Sequence, residues 1–154
     1  IRDHCVTGVQ TCALRSHAAY LYAWTDRPWI GQDRIDQIYR QFYAATPDGI
    51  KGNDDAGQMS AWYVLTTLGL YPVVPASGRF VTAMPQVVNA KLALAKGHSL
   101  VINRKGNPRS GQYADHPLLN GRKLGLMDLT YSDLIKGGAL DYALISRPSH
   151  RQRP

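Results

Sequence analysis

No glutamate occurs anywhere in the 154 residues; all 11 acidic side chains are aspartates, set against 18 lysines and arginines. Acid–base chemistry drawn from the chain's own carboxylates must therefore use aspartate. Cysteine is nearly missing too. The two present, Cys5 and Cys12, lie in a stretch, residues 5–14, that follows neither a helical nor a strand period. They support no disulfide, metal site or redox assignment. No apolar run approaches the roughly 20 residues of a bilayer-spanning helix, so no membrane partner is expected. No secretory leader pattern opens the chain, which says nothing about where a longer parent resides.

The positive excess, +7, raises phosphate or nucleic-acid binding as one class of function, with an affinity that would fall steeply with salt. The basic residues are scattered singly or in the pairs Arg104-Lys105 and Arg122-Lys123, apart from Arg147, Arg151 and Arg153, and no nucleic-acid motif or interleaved aromatic pattern accompanies them. The charge reads as solvated surface plus a basic tail over residues 149–154, and no nucleic-acid partner is expected. The remaining composition, 44% hydrophobic and 19% charged, suits one globular domain with a core.

Against that background one stretch stands out. Lys51-Gly52-Asn53-Asp54-Asp55-Ala56-Gly57-Gln58-Met59-Ser60-Ala61-Trp62-Tyr63 follows the turn signal Pro47-Asp48-Gly49. Two carboxylates lie between small residues at the mouth of a helix-forming run. Free N–H groups and the positive end of the dipole favour negative charge there. Glycine at both shoulders lets backbone approach a ligand closely. Physical grounds alone leave two readings open. One aspartate is a helix cap, a common arrangement; or a carboxylate carried to a helix entrance by a loop serves as general base or metal ligand.

The flanking chain divides by texture. Residues 17–24 are apolar and free of glycine and proline, which predicts a helix ending around 25–28. Over residues 31–45, Ile35, Ile38, Tyr39, Phe42 and Tyr43 recur as the buried stripe of an amphipathic helix. Residues 57–68 predict a helix that is apolar nearly all round, expected to be buried among other helices, with Gly69 as its stop. Beyond Tyr71, Pro72, Pro75, Pro85 and Pro108 break any helical reading. Strands are predicted over 79–83, 88–94, 99–103 and 139–146, with a turn at Lys96-Gly97-His98 and an Asn-Gly hairpin over 119–122. Residues 129–135 predict a short helix or turn. The fold class is α+β, helices first.

The residues from Gly52 to Val64, continued by Leu68-Gly69-Leu70-Tyr71-Pro72-Val73 and Pro75-Ala76-Ser77-Gly78, closely resemble the signature of glycoside hydrolase family 92. The match is long and ungapped. His17-Ala18-Ala19-Tyr20-Leu21-Tyr22 is similar to that family's His-x-x-Tyr-Leu-Tyr run, and the Asn-Gly and Gly-Gly-Ala-Leu elements resemble its C-terminal region. Members are calcium-dependent, exo-acting, inverting α-mannosidases. The resemblance implies that residues 17–70 are the last helices of an (α/α)6 barrel and that 71–148 form a β-rich part of the same catalytic region. It implies that Asp55 is the general base. Asn53 and Asp54 would belong to the cluster around the reacting sugar, and His17 and Gln58 would contact substrate. Some relatives carry an acid where this chain has Asn53.

The resemblance also places the glutamate general acid upstream of this chain, and an Asn-Glu pair of the calcium site just before His17. Residues 6–14 stand there instead and resemble a translated sequencing adapter, as met in proteins from assembled metagenomes; residues 1–16 are accordingly expected to be a foreign leader. Asp26, Asp33, Asp36, Asp115, Asp128, Asp133 and Asp141 fall in surface or turn settings and offer no opposed acid. The expectation is a C-terminal fragment of an α-mannosidase for mannose-containing glycans. It would be inactive without the upstream part of its own enzyme, its calcium site would be incomplete, and its parent would be secreted or periplasmic. The alternative class is a non-catalytic carbohydrate-binding or structural β-module. That alternative accounts for the strand-rich half and leaves the paired aspartates without a role.

Overall fold

The computed structural model describes residues 16–106 and 112–145. The adapter-like stretch, both cysteines and the basic tail lie outside them. Two compact units divide between Leu65 and Thr66. The architecture is α+β, with helices in the first unit and mainly strands in the second.

The first unit opens on helix α1, residues 16–20, which tightens into a 3-10 turn over Leu21–Trp24. Thr25 ends it, its N–H and hydroxyl donating to the Tyr22 carbonyl at 3.0 and 2.8 Å. Helix α2 spans Pro28–Phe42. It starts three residues before the predicted position because Pro28 occupies its first turn, where a missing N–H is no loss and φ is already helical. It also ends early. Tyr43 turns extended and bridges to Ile50, while the Ala44 N–H donates to the Gly49 carbonyl at 2.8 Å. Helix α3 spans Gln58–Thr67, close to the predicted bounds.

Trp62 anchors this unit and is 0% exposed. Its indole N–H donates to the Ser16 carbonyl at 3.2 Å, its ring stacks on Tyr43 at 5.4 Å, and Tyr20 meets it edge-on at 6.5 Å. Tyr39 stacks on Tyr63 at 4.7 Å. The aromatic end of the predicted α2 stripe therefore faces α3. Burial of α3 on every side does not hold: Met59, Trp62 and Thr66 are buried, while Tyr63 is 38% and Val64 55% exposed. An all-round apolar helix needs neighbours all round, and the described ring contacts of α3 run to α1 and α2.

The second unit contains β1 (Leu70–Tyr71), β2 (Arg79–Thr82), β3 (Asn89–Ala93), β4 (Ser99–Lys105), β5 (Tyr113–Ala114), β6 (Leu118–Leu119), β7 (Arg122–Lys123), β8 (Leu129–Thr130), helix α4 (Tyr131–Lys136) and β9 (Gly138–Ile145). One sheet runs β1-β2-β8, and the larger runs β3-β4-β9-β6-β7 with β5 also on β9. All pairings are antiparallel except β4 with β9. The core gathers Leu100, Ile102, Leu140 and Tyr142 from that central pair with Val81, Leu119, Leu124 and Leu129.

Gly69 stops α3 as predicted, at φ 78°. Its carbonyl accepts the Ala83 N–H and the Tyr142 hydroxyl, both at 2.9 Å. A Cβ there would lie 2.7 Å from Pro85 Cγ and 2.8 Å from the Ala83 carbonyl. Arg104 takes an inward position of β4 and is only 5% exposed. Its guanidinium donates through Nη1 to the carbonyls of Pro85 and Gln86 at 2.7 and 3.3 Å, and burial lowers its pKa while leaving it a cation. The Asn-Gly hairpin is present, with Asn120 and Gly121 at φ 50° and 82° joining β6 to β7.

Thr130 and Asp133 form a capping box on α4. The Asp133 N–H donates to Thr130 Oγ at 3.1 Å, and the Thr130 hydroxyl donates to Asp133 Oδ2 at 2.7 Å. The Thr130 side chain is the main cause holding the Asp133 carboxyl below its ordinary pKa, with Arg122 and Lys136 adding to it. A depressed carboxyl contributes stability that is full above about pH 4 and is lost as the pH falls through its folded-state value.

Two substitutions test this account by thermal unfolding. Thr130→Ala should lower stability by about 1 kcal/mol at neutral pH, and the gap from wild type should narrow as the pH falls below about 4. Gly69→Ala should cost about 3 kcal/mol, combining left-handed strain with overlap against Pro85.

Candidate active site

The acidic loop is delivered by a short hairpin. The turn at Thr46–Gly49 closes with the Gly49 N–H on the Thr46 carbonyl at 2.9 Å, and the Lys51 N–H returns to the Phe42 carbonyl at 3.0 Å. The Lys51 ammonium sits 5.9 Å from the centre of the Phe42 ring. The chain thus re-enters beside the end of α2 and runs through 52–57 into α3.

That final approach is left-handed. Asp55, Ala56 and Gly57 have φ values of 51°, 57° and 90°. For a residue with a side chain this conformation costs roughly 1–2 kcal/mol, somewhat less for aspartate. Such a turn persists only where the surroundings impose it. Gln58 N–H donates to the Asp55 carbonyl at 3.2 Å, and Met59 N–H to the Asp54 carbonyl at 3.0 Å. The Asp54 carboxylate reaches across the turn. Its Oδ1 accepts both the backbone N–H and the hydroxyl of Ser60, at 2.8 and 2.9 Å.

The two readings left open by the sequence are thereby divided between adjacent residues. Asp54 caps α3. Asp55 is half-buried, and its carboxylate makes no hydrogen bond or ion pair among the described residues. A carboxylate that is not tied to its own helix retains its lone pairs for a water or a substrate hydroxyl.

Asn53 is exposed at the start of the loop, and its side chain makes no hydrogen bond among the described residues. Gln58 is the first residue of α3 and is half-buried. His17 lies on α1, half-buried, next to Ser16, whose carbonyl receives the Trp62 indole. That bond joins the His17 segment to the motif helix, so the two sequence-predicted stretches meet within one unit. Sequence reasoning missed Ser60. The available signal was a hydroxyl in the first turn of a helix preceded by glycine, a position where an outside carboxylate can cap. Among the described residues, no group of three or more His, Asp, Cys or Glu side chains could hold a metal ion.

Residues 14–146 match the glycosyl hydrolase family 92 catalytic domain. The chain belongs to glycosyl hydrolase family 92. Solved family 92 structures agree in fold. An alpha-mannosidase of the family from Bacteroides thetaiotaomicron superposes with a TM-score of 0.77 at 33% identity, over 88% of this chain and 18% of that one. The same enzyme in complex with mannoimidazole gives 0.78, again over 88% and 18%. An inverting mannosidase of the family from the same species gives 0.76 at 31% identity, over 88% and 18%. An uncharacterized secreted glycosidase of Arthroderma benhamiae is 25% identical over 131 residues, 82% of this chain and 17% of that protein. The chain therefore spans under a fifth of the length of each of these relatives.

The division of labour in the loop has a stability signature. Asp54→Ala should cost about 1 kcal/mol in chemical denaturation, as loss of a cap does. Asp55→Asn should stay within about 0.5 kcal/mol of wild type, because asparagine tolerates the left-handed region equally well and no bond is removed.

Proposed function

We propose that this chain is the base-bearing part of an exo-acting, inverting α-mannosidase that hydrolyses terminal α-mannosyl linkages of glycans. Asp55 is its general base. The observation that carries this reading is the half-buried Asp55 carboxylate at the entrance of α3, left out of the helix cap that Asp54 forms. Family membership and the mannosidase relatives supply the substrate class.

In this mechanism water attacks the anomeric carbon from the face opposite the departing oxygen. Asp55 takes the proton of that water, and a carboxylic acid across the sugar protonates the leaving oxygen. Inverting enzymes hold the two carboxyl groups about 6.5–9.5 Å apart to admit the water. Asp54 cannot be that opposed acid: it adjoins Asp55 in sequence, and its Oδ1 is occupied by Ser60. The acid belongs to a part of the enzyme outside this chain, and the chain alone does not turn over mannosides. Asn53, His17 and Gln58 contribute contacts around the sugar.

Calcium is implied by the family. The described residues do not supply a carboxylate-rich cage for it: no group of three or more His, Cys, Asp or Glu side chains gathers among them, and one Asp54 oxygen already accepts two hydrogen bonds. A secreted or periplasmic parent accords with the secreted fungal relative, and no helix among the described residues is long and apolar enough to cross a membrane.

Two assays test the proposal. The full chain with calcium and an aryl α-mannoside should show no turnover; robust hydrolysis abolished by Asp55→Ala would show that the chain carries both catalytic groups. A chimera in which residues 17–145 replace the matching segment of the Bacteroides enzyme should hydrolyse the same substrate. In it, Asp55→Ala should lower the rate by about 10²–10⁴-fold. Undiminished hydrolysis by that variant would remove Asp55 from the base role. Mannose binding by the chain that is unchanged in Asp55→Asn would favour the carbohydrate-binding module.

A further inference from the structure

We infer that Asp54 and Ser60 act together as positioning residues for Asp55, a clamp that fixes the left-handed turn on which the base is mounted. The inference rests on the reading of Asp55 as general base. An ordinary N-cap sits immediately before the first helical residue and bonds the N–H of the second or third. In α3 that site is Gly57, which has no side chain to offer. Asp54, three residues earlier, supplies the acceptor instead and bonds both donors of Ser60, the third residue of the helix, at 2.8 and 2.9 Å.

Displacing the cap closes a ring from residue 54 to residue 60, with Asp55, Ala56 and Gly57 inside it. All three hold positive φ, and two of them carry a side chain. A cap at residue 57 would steady the helix equally well and would leave the preceding residues free to relax to negative φ. A cap at residue 54 makes entry into α3 conditional on the turn. Backbone bonds from Gln58 to the Asp55 carbonyl and from Met59 to the Asp54 carbonyl close the same ring on its inner side, at 3.2 and 3.0 Å. Gly57 is required for its φ of 90° and not for lack of room, since a Cβ there would meet no heavy atom within 4 Å. Strain held at one residue by bonds placed on its neighbours is the pattern expected where a side chain must be aimed. Ser60 is exposed, so its role lies in this bond and not in core packing.

The test is made on the isotope-labelled full chain without substrate. Scalar couplings of Asp55 and Ala56 report the sign of φ, and amide exchange at Ser60 reports its bond to Asp54. Wild type should give left-handed couplings at both residues. Ser60→Ala and Asp54→Ala should move both sets toward values for negative φ, and Ser60→Ala should speed exchange at residue 60 by about tenfold. Ser60→Thr should restore both readouts. Left-handed couplings that persist in Asp54→Ala, which removes both bonds, would reduce the pair to a plain helix cap and overturn the inference, whatever happens to the melting temperature. Should Asp54→Ala fail to fold, Ser60→Ala takes over: it keeps the backbone N–H bond and loses the hydroxyl bond, so a smaller shift of both readouts is expected and no shift overturns the inference, alanine being a good helix former at this exposed position. Because these readouts need no turnover, failure of the mannosidase reading and failure of the clamp give separate signatures.

Discussion

Oδ1 of Asp54 receives two hydrogens from Ser60, and the shape of the loop follows from that pair of bonds. The helix would otherwise begin with unmet N–H groups behind a glycine. By meeting the N–H of Ser60 from a distance, the carboxylate obliges the three intervening residues to curl left-handed. Two chemically identical neighbours thus have different surroundings: one carboxylate is bonded within the fold, the other is held apart from it. Adjacent aspartates with the same intrinsic chemistry acquire separate roles through backbone geometry alone.

Much of this was legible beforehand because it is local. Gly69 ends α3 and Asn120-Gly121 turns a hairpin because both answer to backbone sterics that neighbouring residues cannot change. The extents of β2, β3, β4 and β9 also lie within a residue or two of the expected ones. Less legible were features decided by partners. The start of α2 moved back to Pro28, and its end was set by a bridge from Tyr43 to Ile50. Alternation along β4 puts Arg104 inward with Leu100 and Ile102, but that an arginine is accepted there could not be read, because the carbonyls of Pro85 and Gln86 that satisfy it are distant in sequence. At the site, the paired aspartates were visible as a motif. Which of them capped the helix was not, because the two are neighbours in sequence just before the same helix start, and Ser60 settles the matter by bonding Asp54.

The apolar surface of α3 marks the scale of the parent. A helix bearing Tyr63 and Val64 on an open face, in a chain that covers 18% of a solved family 92 enzyme, has the composition of an interior element. Its pattern anticipates neighbours that the described residues do not supply.

The parallel pairing of β4 with β9 carries a consequence for assembly. Antiparallel β3 and β4 are joined by a tight turn and can zip from it, whereas β9 must return across everything from residue 106 to 137 before its first bond with β4 forms. Closing so long a loop loses chain entropy that is recovered only when Leu140 and Tyr142 dock. The hydroxyl of Tyr142 is also what reaches the Gly69 carbonyl at the end of α3. The exit of the motif helix is therefore completed by a strand synthesised well after it, and a nascent chain holds the acidic loop before it holds the bond that closes the far end of the helix.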